Sequence, residues 1–265
     1  MIDKKASLFN FDEMYRGSHP TCKDGHYEIC DDWNYEFQTR SLAPEETINS
    51  EDRIVLCIGD SFTFGDGVYY RDTWTHKLQE TVFKDYKVIN VGIRGASNNV
   101  ITNILAKWCS KYGDQIEIVI AVFSFNNRRT YYRDKMYGLH VGFNPTNRPD
   151  WYKEIHSSFI NLSNDINDEE NFEKNVLLTK GLGKIYNFKT YWGSIEEHAW
   201  ALPPNPERLC ANPEIIDSDN FHYVHMIWFE VDSNEERNKF CISEHDRHWS
   251  SEGHIAVAKR FMKQI

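Results

Sequence analysis

Ser61 follows a short apolar run, Arg53 to Ile58, and the pair Gly59-Asp60. A serine one turn beyond a buried strand carries its Oγ at the open end of a sheet, and its backbone N–H can face the same space. That placement suits a nucleophile, which also needs a base and an acid to orient the base. The segment Glu244 to His254 offers both, because Asp246 and His248 are separated by one residue. In an extended loop, side chains at i and i+2 lie on one face, so the Asp246 carboxylate can orient the His248 imidazole. The other ring nitrogen is then left to accept the Ser61 proton.

These groups meet only if the elements deliver them. Arg53 to Ile58 reads as a strand buried on both faces, ended by Gly59. Trp74, Leu78 and Val82 follow as a helical stripe behind Asp72 and Thr73 as candidate caps. Val88 to Gly92 repeats the strand-then-glycine pattern, and Val100, Ile101, Ile104, Leu105 and Trp108 form a second stripe after Ser97 and Asn98. Ile116 to Phe125 is a third apolar strand. This alternation predicts parallel βαβ units, hence an α/β fold of three αβα layers around a mostly parallel sheet. In such sheets ligands bind beyond the carboxyl ends of the strands. Those ends are Gly59 to Ser61, Gly92 to Gly95 and Ser124 to Asn127.

Around this core, residues 1–50 are polar and acidic with Trp33, Tyr35 and Phe37 spaced by two, and read as an arm on a single domain over 51–265. Periodicity blurs over 128–220, which reads as an irregular insertion after the third strand, with helices near 150–162 and 171–190. Phe221 to Val231 predicts another strand. A last helix follows Ser250 or Ser251 as cap, with Ile255, Ala258 and Phe261 or Met262 as its stripe.

Taken jointly, these blocks resemble the SGNH, or GDSL-type, hydrolases. Gly59-Asp60-Ser61-Phe62-Thr63-Phe64-Gly65 is similar to the first family block, with Ser61 as nucleophile. Asn90 to Ser97 resembles the second, whose glycine N–H helps form the oxyanion hole; Gly95 fits that role better than Gly92. Ser124-Phe125-Asn126-Asn127 corresponds to the family's Gly-x-Asn-Asp, which makes Asn126 the side-chain donor to the oxyanion, alongside the N–H of Ser61. Asp246-Arg247-His248 corresponds to the last block. The resemblance covers roughly residues 50–127 and 240–265. It departs at Ser124, at Asn127 and in the Asp-x-His spacing, where many relatives have Asp-x-x-His. It implies a serine-dependent ester hydrolase that needs no cofactor, with a small acyl group on a carbohydrate as the preferred substrate. An O-acyltransferase using the same triad, or a non-catalytic carbohydrate-binding or assembly protein keeping the fold, are the alternatives.

Composition narrows the partners. Lys and Arg total 30 against 40 Asp and Glu, a formal charge of −10, which disfavours a phosphate backbone as ligand. No run reaches the ~20 apolar residues of a membrane span, and the start lacks a secretory apolar block, so a cytoplasmic location is expected. The scattered cysteines suit reduced thiols, with Cys57 and Cys109 expected in the core. Triphosphate and dinucleotide motifs are absent, as is the Gly-x-Ser-x-Gly elbow. His245, His248, His254 and Asp246 form a cluster, and His222 and His225 another, but neither has the helical i, i+4 spacing of zinc hydrolases, so no metal is expected. His222 and His225 read as alternating strand residues, and His254 as a packing or capping residue. Asp60, Arg128 and Arg129 are candidates for substrate binding, the arginines, with Arg133, lying at the rim just after Asn126. Tyr131, Tyr132, Trp151, Tyr152, Trp192 and Trp200 could stack on sugars or simply form a local core.

Overall fold

The computed structural model describes residues 48–132, 136–141, 145–146, 148–195, 219–224, 226, 238–242 and 248–265. Residues 1–47 of the expected arm lie outside the described residues, as do Asp246, His245, Arg133, His225 and Trp200.

β1 (Ile54–Gly59), β2 (Lys87–Asn90), β3 (Ile116–Phe123), β6 (Lys189–Ser194) and β7 (Phe221–Tyr223) form a five-stranded sheet in the order β2-β1-β3-β6-β7. All its pairings are parallel. β1 shows why its position requires an unbroken apolar run. Ile54, Leu56 and Ile58 join one core cluster, and Val55 and Cys57 the other. Each side chain alternates to the opposite face, and both faces are dry.

Two helices cover each face. α3 (Asn98–Tyr112) and α5 (Asp165–Tyr186) pack Val100, Ile101, Ile104, Leu105, Trp108, Phe172 and Val176 into the first cluster. α2 (Trp74–Thr81) and α6 (Ser251–Gln264) pack Trp74, Leu78, Val257, Ala258 and Phe261 into the second. The result is an αβα sandwich. Burying each such side chain contributes roughly 1.5–3 kcal/mol before chain entropy is charged against it. Thr73 caps α2 by accepting from His76 N–H, and Ser250 caps α6 by accepting from Gly253 N–H. In α6 the buried stripe is His254, Val257, Ala258 and Phe261, while Ile255 is 39% exposed.

Among its described residues, the 128–220 region is more regular than its sequence predicts. It holds the hairpin β4 (Arg129–Tyr132) and β5 (Met136–Leu139), then α4 (Asp150–Leu162), α5 and β6, which pairs with β3 in the main sheet. Tyr137, Leu139 and Tyr152 form a small core of their own with Trp151, Ile155 and Phe159 around it. The Tyr152 hydroxyl donates to Gly138 O at 2.7 Å, pinning the hairpin under α4. Trp192 is fully buried in the main core, so Trp192 and Tyr152 are core residues. Strand β7 spans Phe221–Tyr223 of the predicted Phe221 to Val231; Val224 and Met226 follow it as buried residues, and residues 225 and 227–231 lie outside the described residues.

Candidate active site

The site lies at the switch point of the sheet, where β1 has β2 on one side and β3 on the other. α1 (Ser61–Phe64) begins directly after β1. Asp60 is its N-cap, with the carboxylate accepting from Phe62 N–H at 3.0 Å and the carbonyl from Phe64 N–H at 2.9 Å. Ser61 is the first residue of this turn, so its N–H has no acceptor within the helix.

His248 Nε2 lies 2.8 Å from Ser61 Oγ, within hydrogen-bond range. The two residues are far apart in sequence and meet because α6 docks on α2. Trp74 and Phe261 stack at 5.2 Å, and His254 Nδ1 accepts from Trp74 N–H at 3.2 Å. His254 is therefore a buried cap of α2, and the loop ahead of it presents His248. The His248 ring rests 4.9 Å from Phe62. Ser61 is 5% exposed, and the His248 side chain is 23% exposed. Asp246, expected to orient His248, lies outside the described residues.

Gly95 and Asn126 stand on the loops after β2 and β3, both beside the β1 end. Gly95 has φ 71°, a left-handed conformation that favours glycine. Gly92 matters for a different reason. A Cβ there would fall 2.3 Å from Phe64 N, so its loop packs against the α1 backbone. Asn90 reinforces this contact, donating to Thr63 O at 2.8 Å and accepting from Gly92 N–H at 2.9 Å. Asn126 is nearly buried in the turn that follows β3.

Side chains with no motif to connect them tie these loops together. Ser124 Oγ donates to Asp60 Oδ2 at 2.8 Å, and Arg128 Nη1 donates to the same oxygen at 2.8 Å and to Ser124 Oγ at 2.9 Å. Asp60 is fully buried and paired with Arg128, so both residues expected to bind substrate take part in an internal network. Arg129 is likewise engaged, pairing with Asp168 at 2.6 Å and donating to Asn126 O. Asn98 clamps the Ser124 backbone, accepting from its N–H at 2.7 Å and donating to its carbonyl at 3.1 Å. Arg94 Nε lies 2.6 Å from Asp66 Oδ1, a close charge contact rather than a linear hydrogen bond, and Asp66 Oδ2 lies 3.9 Å from His248 Nε2. Asp66 and Arg94 are not legible as site residues in the sequence, because no motif position singles them out.

Burial holds the Cys57 thiol well above its usual range and pushes Cys109 up to about 12, which makes both inert core residues. Among the described residues, no group of three or more His, Cys, Asp or Glu converges as a metal site, and no helix is long and apolar enough to cross a membrane.

No family model matches the sequence, and no curated protein matches it. Solved structures do. A member of the lipolytic protein G-D-S-L family from Veillonella parvula is 10% identical with a TM-score of 0.50, over 80% of this chain and 97% of that one. A psychrotrophic esterase from Pseudoalteromonas is 12% identical with a TM-score of 0.48, over 80% of this chain and 96% of that one. An acetyl-xylooligosaccharide esterase mutant from Geobacillus is 17% identical with a TM-score of 0.47, over 80% of this chain and 93% of that one. The likeness to the Veillonella protein shows that this chain has the SGNH, or GDSL-type, hydrolase fold.

Proposed function

We propose that the protein is a serine-dependent ester hydrolase. Ser61 Oγ attacks the acyl carbonyl while His248 Nε2 takes its proton, and Asp246 orients the imidazole. The N–H groups of Ser61 and Gly95 and the side-chain amide of Asn126 stabilise the oxyanion. His248 then protonates the leaving alkoxide, and water resolves the acyl-enzyme with the same histidine as base. No cofactor or metal enters this scheme.

The observation that carries the reading is the 2.8 Å contact between Ser61 Oγ and His248 Nε2. At 5% exposure the nucleophile suits a short acyl group, and a small acyl group on a carbohydrate is the preferred substrate class. Incubation with p-nitrophenyl acetate and a fluorophosphonate probe tests the assignment. Wild type should turn over the ester and take the label, Ser61→Ala should take none, and His248→Ala should lose about 10³-fold or more in kcat. Labelling that persists in Ser61→Ala would remove Ser61 as nucleophile, and an unlabelled wild type would favour a binding protein on the same fold.

A further inference from the structure

The carboxylate of Asp66 has no part in the mechanism above, yet it stands beside the reacting atoms. Its Oδ2 lies 3.9 Å from His248 Nε2, the atom that is 2.8 Å from Ser61 Oγ. That separation is too long for a hydrogen bond and right for one shared oxygen. An oxygen about 2.8 Å from each atom would subtend an angle of roughly 90° between them, close to that between the two protons of water. The carboxylate is well fixed. Asp66 N–H donates to Ser61 O at 3.1 Å, and Arg94, the residue before Gly95, holds Oδ1 at 2.6 Å. The Asp66 side chain is 7% exposed, with Arg94 Nε against Oδ1 and His248 Nε2 on the side of Oδ2.

Resting on the hydrolase reading, we propose that Asp66 is a further catalytic residue that selects water over alcohols as the acyl acceptor. In deacylation, water donates one proton to His248 Nε2 and its second to Asp66 Oδ2. Its oxygen bonds to the acyl carbon as Nε2 takes the first proton. Collapse of the tetrahedral adduct breaks the bond from that carbon to Ser61 Oγ, and Oγ recovers the proton from Nε2. An alcohol has a single proton on the attacking oxygen. Once that proton goes to His248, the position facing Asp66 is filled by carbon, and the carboxylate loses hydration without gaining a donor. The Asp66–Arg94 pair thereby biases the site toward hydrolysis and against acyl transfer.

The test measures how the acyl-enzyme formed from p-nitrophenyl acetate partitions between water and glycerol, in wild type and in Asp66→Asn. In the variant the amide must turn its oxygen to Arg94, leaving NH₂ toward His248, a donor where water needs an acceptor. The ratio of hydrolysis to transfer should fall roughly 10-fold or more. A merely structural role would slow acylation and deacylation together and leave that ratio unchanged, which would overturn the proposal while leaving the hydrolase reading intact. If wild type forms no acyl-enzyme, the hydrolase reading itself fails and the inference falls with it. A crystal structure of the wild-type chain bearing a phosphonate on Ser61 gives a check that needs no variant to fold. A water within hydrogen-bond distance of both Asp66 Oδ2 and His248 Nε2 is expected there, and a hydrated cleft lacking that water would equally overturn the proposal.

Discussion

Ser124 departs from the glycine of the family pattern, and its hydroxyl has a specific use, since it lies between the buried Asp60 carboxylate and the Arg128 guanidinium. Two variants separate the parts of this network. Ser124→Ala removes one neutral donor while Arg128 and Phe62 N–H still satisfy Asp60. It should cost about 1–2 kcal/mol in urea unfolding. Arg128→Met leaves a fully buried carboxylate without its cation, and should cost about 3–5 kcal/mol. An Arg128→Met loss no larger than that of Ser124→Ala would show that Asp60 does not depend on this charge. The residue types are visible in the sequence but their pairing is not. A cation in the run Arg128-Arg129 reads as a solvated rim, and only the fold reveals a carboxylate beneath it.

Elements are legible where burial is two-sided. β1 and β3 are apolar because both faces of the sheet are covered, and α3 turns an unbroken apolar stripe to one of those faces, so their sequences leave little choice of structure. β6 escapes a reading by pattern because Lys189-Thr-Tyr-Trp-Gly-Ser has no run of β-branched residues, although Trp192 and Tyr191 pack on opposite faces as in any central strand. Loop contacts are also beyond reach. The sequence identifies Gly92 as a strand end but does not say that α1 lies against it. A methyl at Gly92 would press on backbone atoms of Thr63 and Phe64, so the turn carrying Ser61 must shift. Gly92→Ala is therefore expected to lower esterase kcat at least 10-fold with KM little changed, following the cost of misplacing a reacting group. Wild-type kcat in this variant would mean that the loop yields instead. The β4–β5 hairpin carries a pH effect of its own. Burial chiefly, then the charges of Arg128 and His156, hold His140 down at about 4. Above pH ~6.5 the ring is neutral folded or unfolded; as pH falls from there toward 4, the unfolded chain binds a proton that the folded chain refuses. Stability should fall through this window by up to about 3 kcal/mol, less what solvent screens at a partly exposed ring. His140→Gln should flatten that slope in urea titrations run between pH 4 and 7.

At the scale of the whole molecule, the −10 charge bears directly on substrate choice. Had Arg128 and Arg129 faced the cleft, an acidic substrate would meet local cations despite the overall field. Instead their guanidinium groups are committed to Asp60 and Asp168, and Arg94 to Asp66. An anionic ester thus approaches a negative molecule with these cations already neutralised, whereas a neutral ester feels no such field. Exposed charges are screened beyond about 10 Å at 0.1 M salt, so the repulsion should weaken as ionic strength rises. The expected outcome is that kcat/KM for the half-ester of a dicarboxylic acid increases several-fold between 10 and 200 mM NaCl. Under the same conditions kcat/KM for p-nitrophenyl acetate should stay nearly flat, because no charge is steered. An anionic ester turned over fastest at low salt would locate a cationic patch near the cleft and overturn this account of the arginines.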